Sequence, residues 1–448
     1  MARMTKFFLM ALLGVPALFG DAWPQWLGPQ RDGVWRETGI LRTFPASGPN
    51  VVWRSKLHPG YSGPAVAEGK LVIMDRIPGP PIQRKPGERG VPQMPGQERI
   101  LCLDSGSGRP VWEHVYDSAY RIDFPAGPRT TPLIVNDRVY TLGAMGDLFC
   151  LDLDSGKALW HVNFMEHFQL AEPPVWGWAA HPLAHEGKIM ALAGGPGSAV
   201  AAFDAATGKE LWRALTTREI GYAPPVIARV EGKDQLIVWH PEAVCGLNPA
   251  TGEELWSIAY PAEGKPQRPE VTIATPRFDH GLLVLTSFYH GAVALKFAGE
   301  KPAIHWNRKS STRSSFNAGL HTTMSTPAIK DGYLYGICGM GELRCLKAET
   351  GERVWETREH IGGKELLFGT SFLVEQDGRF FIWTDLGDLI IANLTPEKYE
   401  ELGRAHLLAP IENARGRDVV WSHPAFANRK VYARNGAEVI CVDLADKG

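Results

Sequence analysis

An internal repeat constrains this 448-residue chain more than any other feature. Five stretches follow the pattern Asp/Asn/Lys-x-x-Ser/Thr-Gly-x-x-x-Trp. They recur at intervals of about 45 to 60 residues, or a multiple of that, which is the length of one four-stranded propeller blade. Their bounds are Asp104 to Trp112, Asp152 to Trp160, Asp204 to Trp212, Asn248 to Trp256 and Lys347 to Trp355.

The copy at Asp152 shows why these residue types suit a blade. The side chains of Asp152 and Ser155 can bond to backbone groups of a tight turn, and Gly156 supplies the positive φ that such a turn often needs. Trp160 follows in the outer strand, where we expect its ring to be buried between adjacent blades. Because the fold alone explains the motif, the sequence assigns it no catalytic role.

Two further blades are altered. Trp306 marks a fifth blade, whose turn has become Ala298-Gly299-Glu300. A seventh blade, from Thr370 to about Leu407, lacks the Gly and the Trp. There Thr395-Pro396-Glu397 predicts a short helix in place of the turn, because Thr is a favourable helix cap and Pro a favourable first residue.

The eighth blade is divided between the two ends of the chain. Trp421 to Asp443 supplies three strands, and Val51 to Ser55 carries the missing Trp strand. Pairing them closes the ring and protects both edges. The sequence therefore predicts an all-β fold, an eight-bladed β-propeller of four-stranded antiparallel blades over residues 50–448, with residues 23–49 as an N-terminal extension packed on it.

The first 22 residues resemble an export signal. Arg3 and Lys6 precede an apolar run from Phe7 to Phe19, and Gly20-Asp21-Ala22 gives the small-x-small pattern of a cleavage site. We expect cleavage before Trp23, a mature chain without a membrane span and a periplasmic or secreted location. A retained N-terminal anchor is the alternative.

Charge and cysteine content exclude some classes. Lys and Arg number 47 against 49 Asp and Glu, so there is no basic field that would attract nucleic acid. Five of the six Cys recur in one phase of the repeat, which places them in different blades, too far apart for disulfides. We interpret them as core residues, and Cys338 with Cys345 is the one pair close enough in sequence to check.

The residues that enter the inner strands predict the candidate binding face. In an up-and-down blade these residues lie at one end of the channel, together with the long Pro78 to Gln97 loop. We expect this mouth to bind an unidentified protein, small molecule or glycan, unless its side chains only fill and hydrogen-bond the channel. The candidate binding residues are Arg129, Trp178, His181, Tyr222, His321, Trp421 and His423.

Motifs for other chemistry are missing from the sequence. It contains no Gly-x-Ser-x-Gly elbow, phosphate loop or His-Glu-x-x-His zinc site. His181, His321 and His423 could hold a metal if they met at the mouth, but they belong to separate blades and a structural role is the expectation. The sequence predicts no catalytic residue and no metal ligand.

The Ser/Thr-Gly-x-x-x-Trp repeats resemble those of the pyrroloquinoline quinone (PQQ)-like propeller family over nearly the whole mature chain. That repeat is shared by quinoprotein alcohol dehydrogenases, by the propeller lipoprotein of the outer-membrane β-barrel assembly machinery and by many secreted bacterial proteins. The opening from Trp23 to Pro29, followed by Arg31-Asp32-Gly33, is similar to the start of that last group.

The resemblance leaves two functions open. A quinoprotein dehydrogenase would use PQQ with calcium or a lanthanide, an Asp base and, characteristically, two adjacent Cys. This chain has no adjacent Cys pair and no haem-attachment Cys-x-x-Cys-His. We therefore expect a non-catalytic binding or scaffold propeller, with a PQQ-dependent oxidoreductase as the alternative.

Overall fold

The computed structural model describes residues 22–81, 92–260, 269–308 and 319–448. Its strands form eight four-stranded antiparallel sheets arranged as an eight-bladed propeller, as the repeat predicts. Within each sheet the first strand in sequence lies innermost, and the next three follow outward in order, except in the divided eighth blade.

From inner to outer strand, blade 1 has β2 (Ala65–Ala67), β3 (Lys70–Pro78), β4 (Gly96–Asp104) and β5 (Pro110–Asp117). Blade 2 has β6 (Leu133–Val135), β7 (Arg138–Leu142), β8 (Asp147–Asp152) and β9 (Ala158–Asn163). Blade 3 has β10 (Leu183–His185), β11 (Lys188–Leu192), β12 (Val200–Asp204) and β13 (Glu210–Ala214). Blade 4 has β14 (Val226–Val230), β15 (Lys233–His240), β16 (Ala243–Leu247) and β17 (Glu254–Ala259).

Blade 5 has β18 (Arg277–Asp279), β19 (Leu282–Ser287), β20 (Gly291–Ala298) and β21 (Lys301–Arg308). Blade 6 has β22 (Ala328–Lys330), β23 (Tyr333–Ile337), β24 (Leu343–Lys347) and β25 (Arg353–Thr357). Blade 7 has β26 (Ser371–Gln376), β27 (Arg379–Thr384), β28 (Asp388–Leu394) and β29 (Tyr399–His406). Blade 8 has β32 (Ala425–Ala427), β33 (Lys430–Arg434), β34 (Glu438–Asp443) and β1 (Asn50–Lys56).

The N-terminal strand closes the ring. β1 pairs antiparallel with β34, with Trp53 opposite Cys441 and Lys56 opposite Glu438. The Trp53 indole is buried, and its Nε1 donates to the carbonyl of Ser105 in blade 1 at 3.0 Å. Blade 8 is thereby tied to blade 1, which confirms the predicted closure.

The repeated Trp and Gly fit together across blade boundaries. Trp112 of blade 1 donates from Nε1 to the carbonyl of Leu153 in blade 2 at 2.9 Å. Gly156 of that same turn has φ +69°, and a Cβ there would lie 2.5 Å from the Trp112 ring. The motif therefore requires Gly twice over, for the left-handed backbone and for the close approach of the neighbouring blade's indole.

Blade 7 departs from the sequence prediction at its turn. Thr395 to Lys398 form a short bend between β28 and β29, so the predicted helix is wrong. Thr395 Oγ1 accepts from the backbone N–H groups of Glu397 and Lys398, both at 3.3 Å. This cap-like bonding stops after one turn because β29 starts at Tyr399 and pairs back onto β28.

Residues 22–49 precede β1 and run against the inner strands. Trp23 bridges Val66 of blade 1, and the backbone N–H of Trp35 donates to the carbonyl of Glu375 in blade 7 at 2.7 Å. Arg277 of blade 5 donates to the carbonyl of Asp32 at 2.8 Å. The segment therefore crosses the channel and contacts several blades.

The remaining regular elements are short. They comprise α1 (Phe164–His167), a 3-10 helix (Glu359–Ile361) and an extra hairpin of β30 (Glu412–Ala414) and β31 (Arg417–Val419) between blades 7 and 8. No helix in the described ranges has the length and apolar character needed to cross a bilayer. The proposed signal, residues 1–22, lies outside the described residues except for Ala22.

All six cysteines are buried and unpaired. Cys338 and Cys345 are therefore not bonded to each other, and burial raises the pKa of both thiols to about 11. A protonated, buried thiol packs as a small apolar side chain, as the sequence predicts.

Candidate functional site

A cavity of 450 Å³ lies in the central channel, at the end where the chain enters the inner strands. Each blade contributes from the inner strand or the segment just before it. One lining residue from each blade, in order, is Tyr61, Arg129, His181, Tyr222, Ile273, Thr323, Phe372 and Trp421. The lining is mainly aromatic and aliphatic, and the volume is within the range of about 300–1,000 Å³ typical of ligand sites.

Five of the seven sequence-predicted residues line this cavity: Arg129, His181, Tyr222, Trp421 and His423. Trp178 does not. Its indole is 1% exposed, packs against Phe164 and donates from Nε1 to the carbonyl of Ala193 at 2.9 Å. His321 does not either, since it is fully buried with Nδ1 3.0 Å from the carbonyl oxygen of Phe288. Two residues that precede inner strands thus pack into blades instead of facing the channel.

Trp26 of the N-terminal segment lines the cavity between two predicted histidines. Its ring stacks on His181 with centroids 3.9 Å apart and meets the edge of His423 at 4.8 Å. Its Nε1 donates to Thr275 Oγ1 at 2.8 Å. The Trp26 indole is therefore held by three contacts, and its ring forms part of the cavity lining.

Both of these histidines are held neutral. His181 Nδ1 accepts from the backbone N–H of Thr131 at 2.8 Å, and burial holds its pKa well below the usual range. Burial lowers the pKa of His423 to about 4. Within the described residues, the three side chains close enough to share a metal are instead His185, Glu186 and Asp234, away from the cavity. The geometry therefore gives His181 and His423 packing and hydrogen-bonding roles.

Arg129 is partly buried and holds the conformation of its own loop. Its guanidinium donates to the carbonyls of Gly127, Asp123 and Phe124 at 2.6 to 2.8 Å and lies over the Tyr61 ring at 5.7 Å. Burial lowers the pKa of this guanidinium. Most of the N–H donors of Arg129 are thus bonded to carbonyls of its own loop. These bonds hold the loop so that Phe124 lies at the mouth.

The extra hairpin reaches over the mouth. Arg417 of β31 pairs with the buried Asp385 at 2.7 Å, which anchors the hairpin to blade 7. The tip residue Arg415 lies over the rings of Phe124 at 5.9 Å and Phe368 at 5.8 Å. These three side chains form one side of the entrance and all line the cavity.

Sequence reasoning missed several residues of this mouth, namely Trp26, Phe124, Trp176, Phe288, Met340, Phe368 and Arg415. Most of them lie in connections between blades, whose repeat phase is lost. The sequence signal that could have identified them is the presence of aromatic residues at the ends of these connections. Whether such a side chain faces the channel depends on the conformation of the loop, which the repeat pattern does not predict.

The cavity does not fit PQQ with calcium. Calcium requires several oxygen ligands, usually including carboxylates. Among the lining residues within the described ranges there is no Asp, Glu, Asn or Gln. The buried Asp385 at the same end does not line the cavity; its Oδ2 pairs with Arg417 and accepts from the backbone N–H of Thr370 at 3.1 Å, and a single carboxylate does not supply the oxygen shell of calcium.

The comparisons with known proteins agree with this architecture. The family model described as outer membrane protein assembly factor BamB matches residues 96–357. A protein of that name from Moranella endobia (strain PCIT) is 24% identical over 263 residues, which are 55% of this chain and 62% of that protein. The aligned region thus spans less than two thirds of that relative.

Solved structures show the same fold. BamB from Moraxella catarrhalis superposes with a TM-score of 0.57 at 14% identity, covering 88% of this chain and 97% of that one. Quinohemoprotein alcohol dehydrogenase from Comamonas testosteroni gives 0.63 at 12% identity, covering 95% and 81%. Because the family model covers more than half of the sequence, this chain belongs to the PQQ-like propeller family described as outer membrane protein assembly factor BamB.

Proposed function

We propose that this propeller is a non-catalytic binding or scaffold protein that captures a protein partner at its channel mouth. The observation that carries the proposal is the composition of that mouth. All eight blades contribute to it, its lining is dominated by aromatic and aliphatic side chains, and no carboxylate is among the described lining residues. Tyr, Trp and Arg are the residues that most often anchor protein partners.

Exposure within the mouth supports a docking role. Leu367 is 52% exposed, although it lines the cavity beside Phe368. An apolar side chain of this size, exposed beside partly buried aromatic rings, offers contact area to a partner. The turns at the other end of the blades are the repeated Ser/Thr-Gly motifs, whose side chains are used in their own turn hydrogen bonds, as in Asp152 with Ser155.

The name of the family supports the class of partner. A relative called an outer membrane protein assembly factor points to protein binding within a bacterial envelope. We further propose that the chain is exported and cleaved before Trp23, which would place it in the periplasm or outside the cell. N-terminal sequencing from an envelope fraction should find Trp23 first, whereas an intact Met1 from the cytosol would contradict export.

Site-specific photocrosslinking tests the docking surface. A photoreactive benzoylphenylalanine in place of Leu367 should form a discrete adduct with an envelope protein in the source organism. The same residue in place of Lys157, which is exposed at the opposite end, is the matched control. Adducts of equal yield from both positions, or from Lys157 alone, would place the partner elsewhere.

A further inference from the structure

We propose that the channel-mouth cavity also binds a free small molecule with an apolar, aromatic body and a single anionic group, and that Arg415 contacts this anion. The inference deepens the proposed function, because it assigns a ligand class to the same site. Such a ligand differs from PQQ with calcium, the cofactor set of quinoprotein dehydrogenases, which this lining does not fit. Four observations support it.

The first observation is an uncommitted cation at an apolar entrance. The Arg415 side chain is exposed and makes no hydrogen bond or ion pair with any described residue. Its neighbour Arg417, by contrast, is used in the ion pair with Asp385. A guanidinium offers a planar fork of donors that matches a carboxylate. Arg415 is therefore available to a ligand, whereas Arg129 uses most of its donors on the carbonyls of its own loop.

The second observation is the backbone that holds this cation. Phe124 and Phe368, whose rings flank it, have φ +53° and +56°, and Arg415 itself has φ +51°. Left-handed backbone is uncommon for bulky residues. Three such residues meet at one point of the mouth. The left-handed backbone sets the direction in which these three side chains leave the chain.

The third observation is a set of polar atoms without partners on residues that line the cavity. Three buried atoms have no hydrogen-bond partner in the described structure, Trp421 Nε1, His423 Nε2 and Thr323 Oγ1, and all three residues line the cavity. His423 is 4% exposed and Thr323 is 8% exposed. Because Nδ1 of His423 contacts the carbonyl of Pro424, a neutral His423 leaves Nε2 as an acceptor. Each of these atoms has less than 1 Å² of accessible surface, so a polar substituent on a ligand would bond to them only if the side chains turn toward the cavity.

The fourth observation is the shape of the site. A volume of 450 Å³ suits a small molecule. The walls carry the rings of Tyr61, Trp176 and Tyr222, and the Trp26 ring also lines the cavity. Aromatic walls favour a planar body, since offset-stacked and edge-to-face contacts are both available.

Isothermal titration with a matched pair of probes tests the charge requirement. Naphthoate and naphthamide share one ring system and differ in the negative charge. The full mature chain should bind naphthoate at least about tenfold more tightly, a difference of about 1.4 kcal/mol. Arg415→Met keeps the aliphatic stem but removes the charge, and should abolish that preference by weakening naphthoate alone.

A second arginine on the same face provides the control. Arg121 is exposed in the connection that also carries Phe124 but does not line the cavity, so Arg121→Met should leave both affinities unchanged. Equal binding of the two probes, no binding of either, or equal losses from both variants would overturn the proposal. Tighter binding of PQQ than of naphthoate would also overturn the proposal, because the ligand class would then be a quinone and not an aromatic molecule with one anionic group. Failure here with intact Leu367 crosslinking would leave the partner-binding function standing.

Discussion

Replacing Gly156 with Ala should destabilise the propeller through a single atom. The glycine has φ +69°, and an alanine in left-handed backbone costs about 1–2 kcal/mol. The new Cβ would also lie 2.5 Å from the Trp112 ring, which is held by its bond to Leu153. Displacing a packed ring typically costs about 1–3 kcal/mol, so we expect a total loss of about 2–5 kcal/mol in the free energy of unfolding.

Gly187 separates the two contributions. Its φ is +73°, and a Cβ there would meet nothing within 4 Å. Gly187→Ala should therefore cost only the backbone part, about 1–2 kcal/mol. Urea unfolding of both variants, followed by tryptophan fluorescence, measures the difference. Equal losses would refute the claim that the repeat Gly is required by the neighbouring blade's indole.

Three other changes have defined outcomes. Deleting Asn50–Lys56 should lower the unfolding midpoint of the whole domain cooperatively, since it opens the ring and removes the buried Trp53; an unchanged thermal midpoint would disprove closure. Trp178→Ala should cost about 3–5 kcal/mol of stability, because its ring is core, and the folded fraction should bind partner normally. Burial raises the pKa of Glu412 from 4.5 to about 7, so its protonated form stabilises the fold. That stability should be complete below pH 4.5 and fall by up to about 3 kcal/mol as the pH rises through 7, and urea unfolding of Glu412→Gln should lack this slope.

The repeat made most of the fold predictable. Each Ser/Thr-Gly-x-x-x-Trp copy fixes one turn, one outer strand and one contact to the next blade, so counting the Trp strands gave the blade number. The seventh blade was harder because its Gly and Trp are gone. There Thr395 and Pro396 favour a helix start, but Tyr399 begins β29, and the pairing of β29 with β28 leaves no room for a helix.

The mouth was predictable only in part. The strand entry points identified the end of the channel at which the cavity lies, and five of the residues that line it: Arg129, His181, Tyr222, Trp421 and His423. The sequence did not predict whether a given side chain of an entry segment faces the channel or the core of a blade. Trp176 lines the cavity while Trp178 packs into the core, because Gly177 between them has φ +68° and turns the chain.

The central claim is that the mouth is the binding surface, and the affinity of the crosslinked partner for Trp421 variants tests it most directly. The Trp421 ring packs beside Tyr61 and Phe124 at the cavity wall. Trp421→Ala should weaken binding by more than about 1 kcal/mol, over fivefold in Kd. Lys157→Ala and Lys209→Ala, in turns at the other end, should change it by less than about 0.5 kcal/mol. A folded Trp421→Ala protein with unchanged affinity, together with losses from the two lysine variants, would contradict the account.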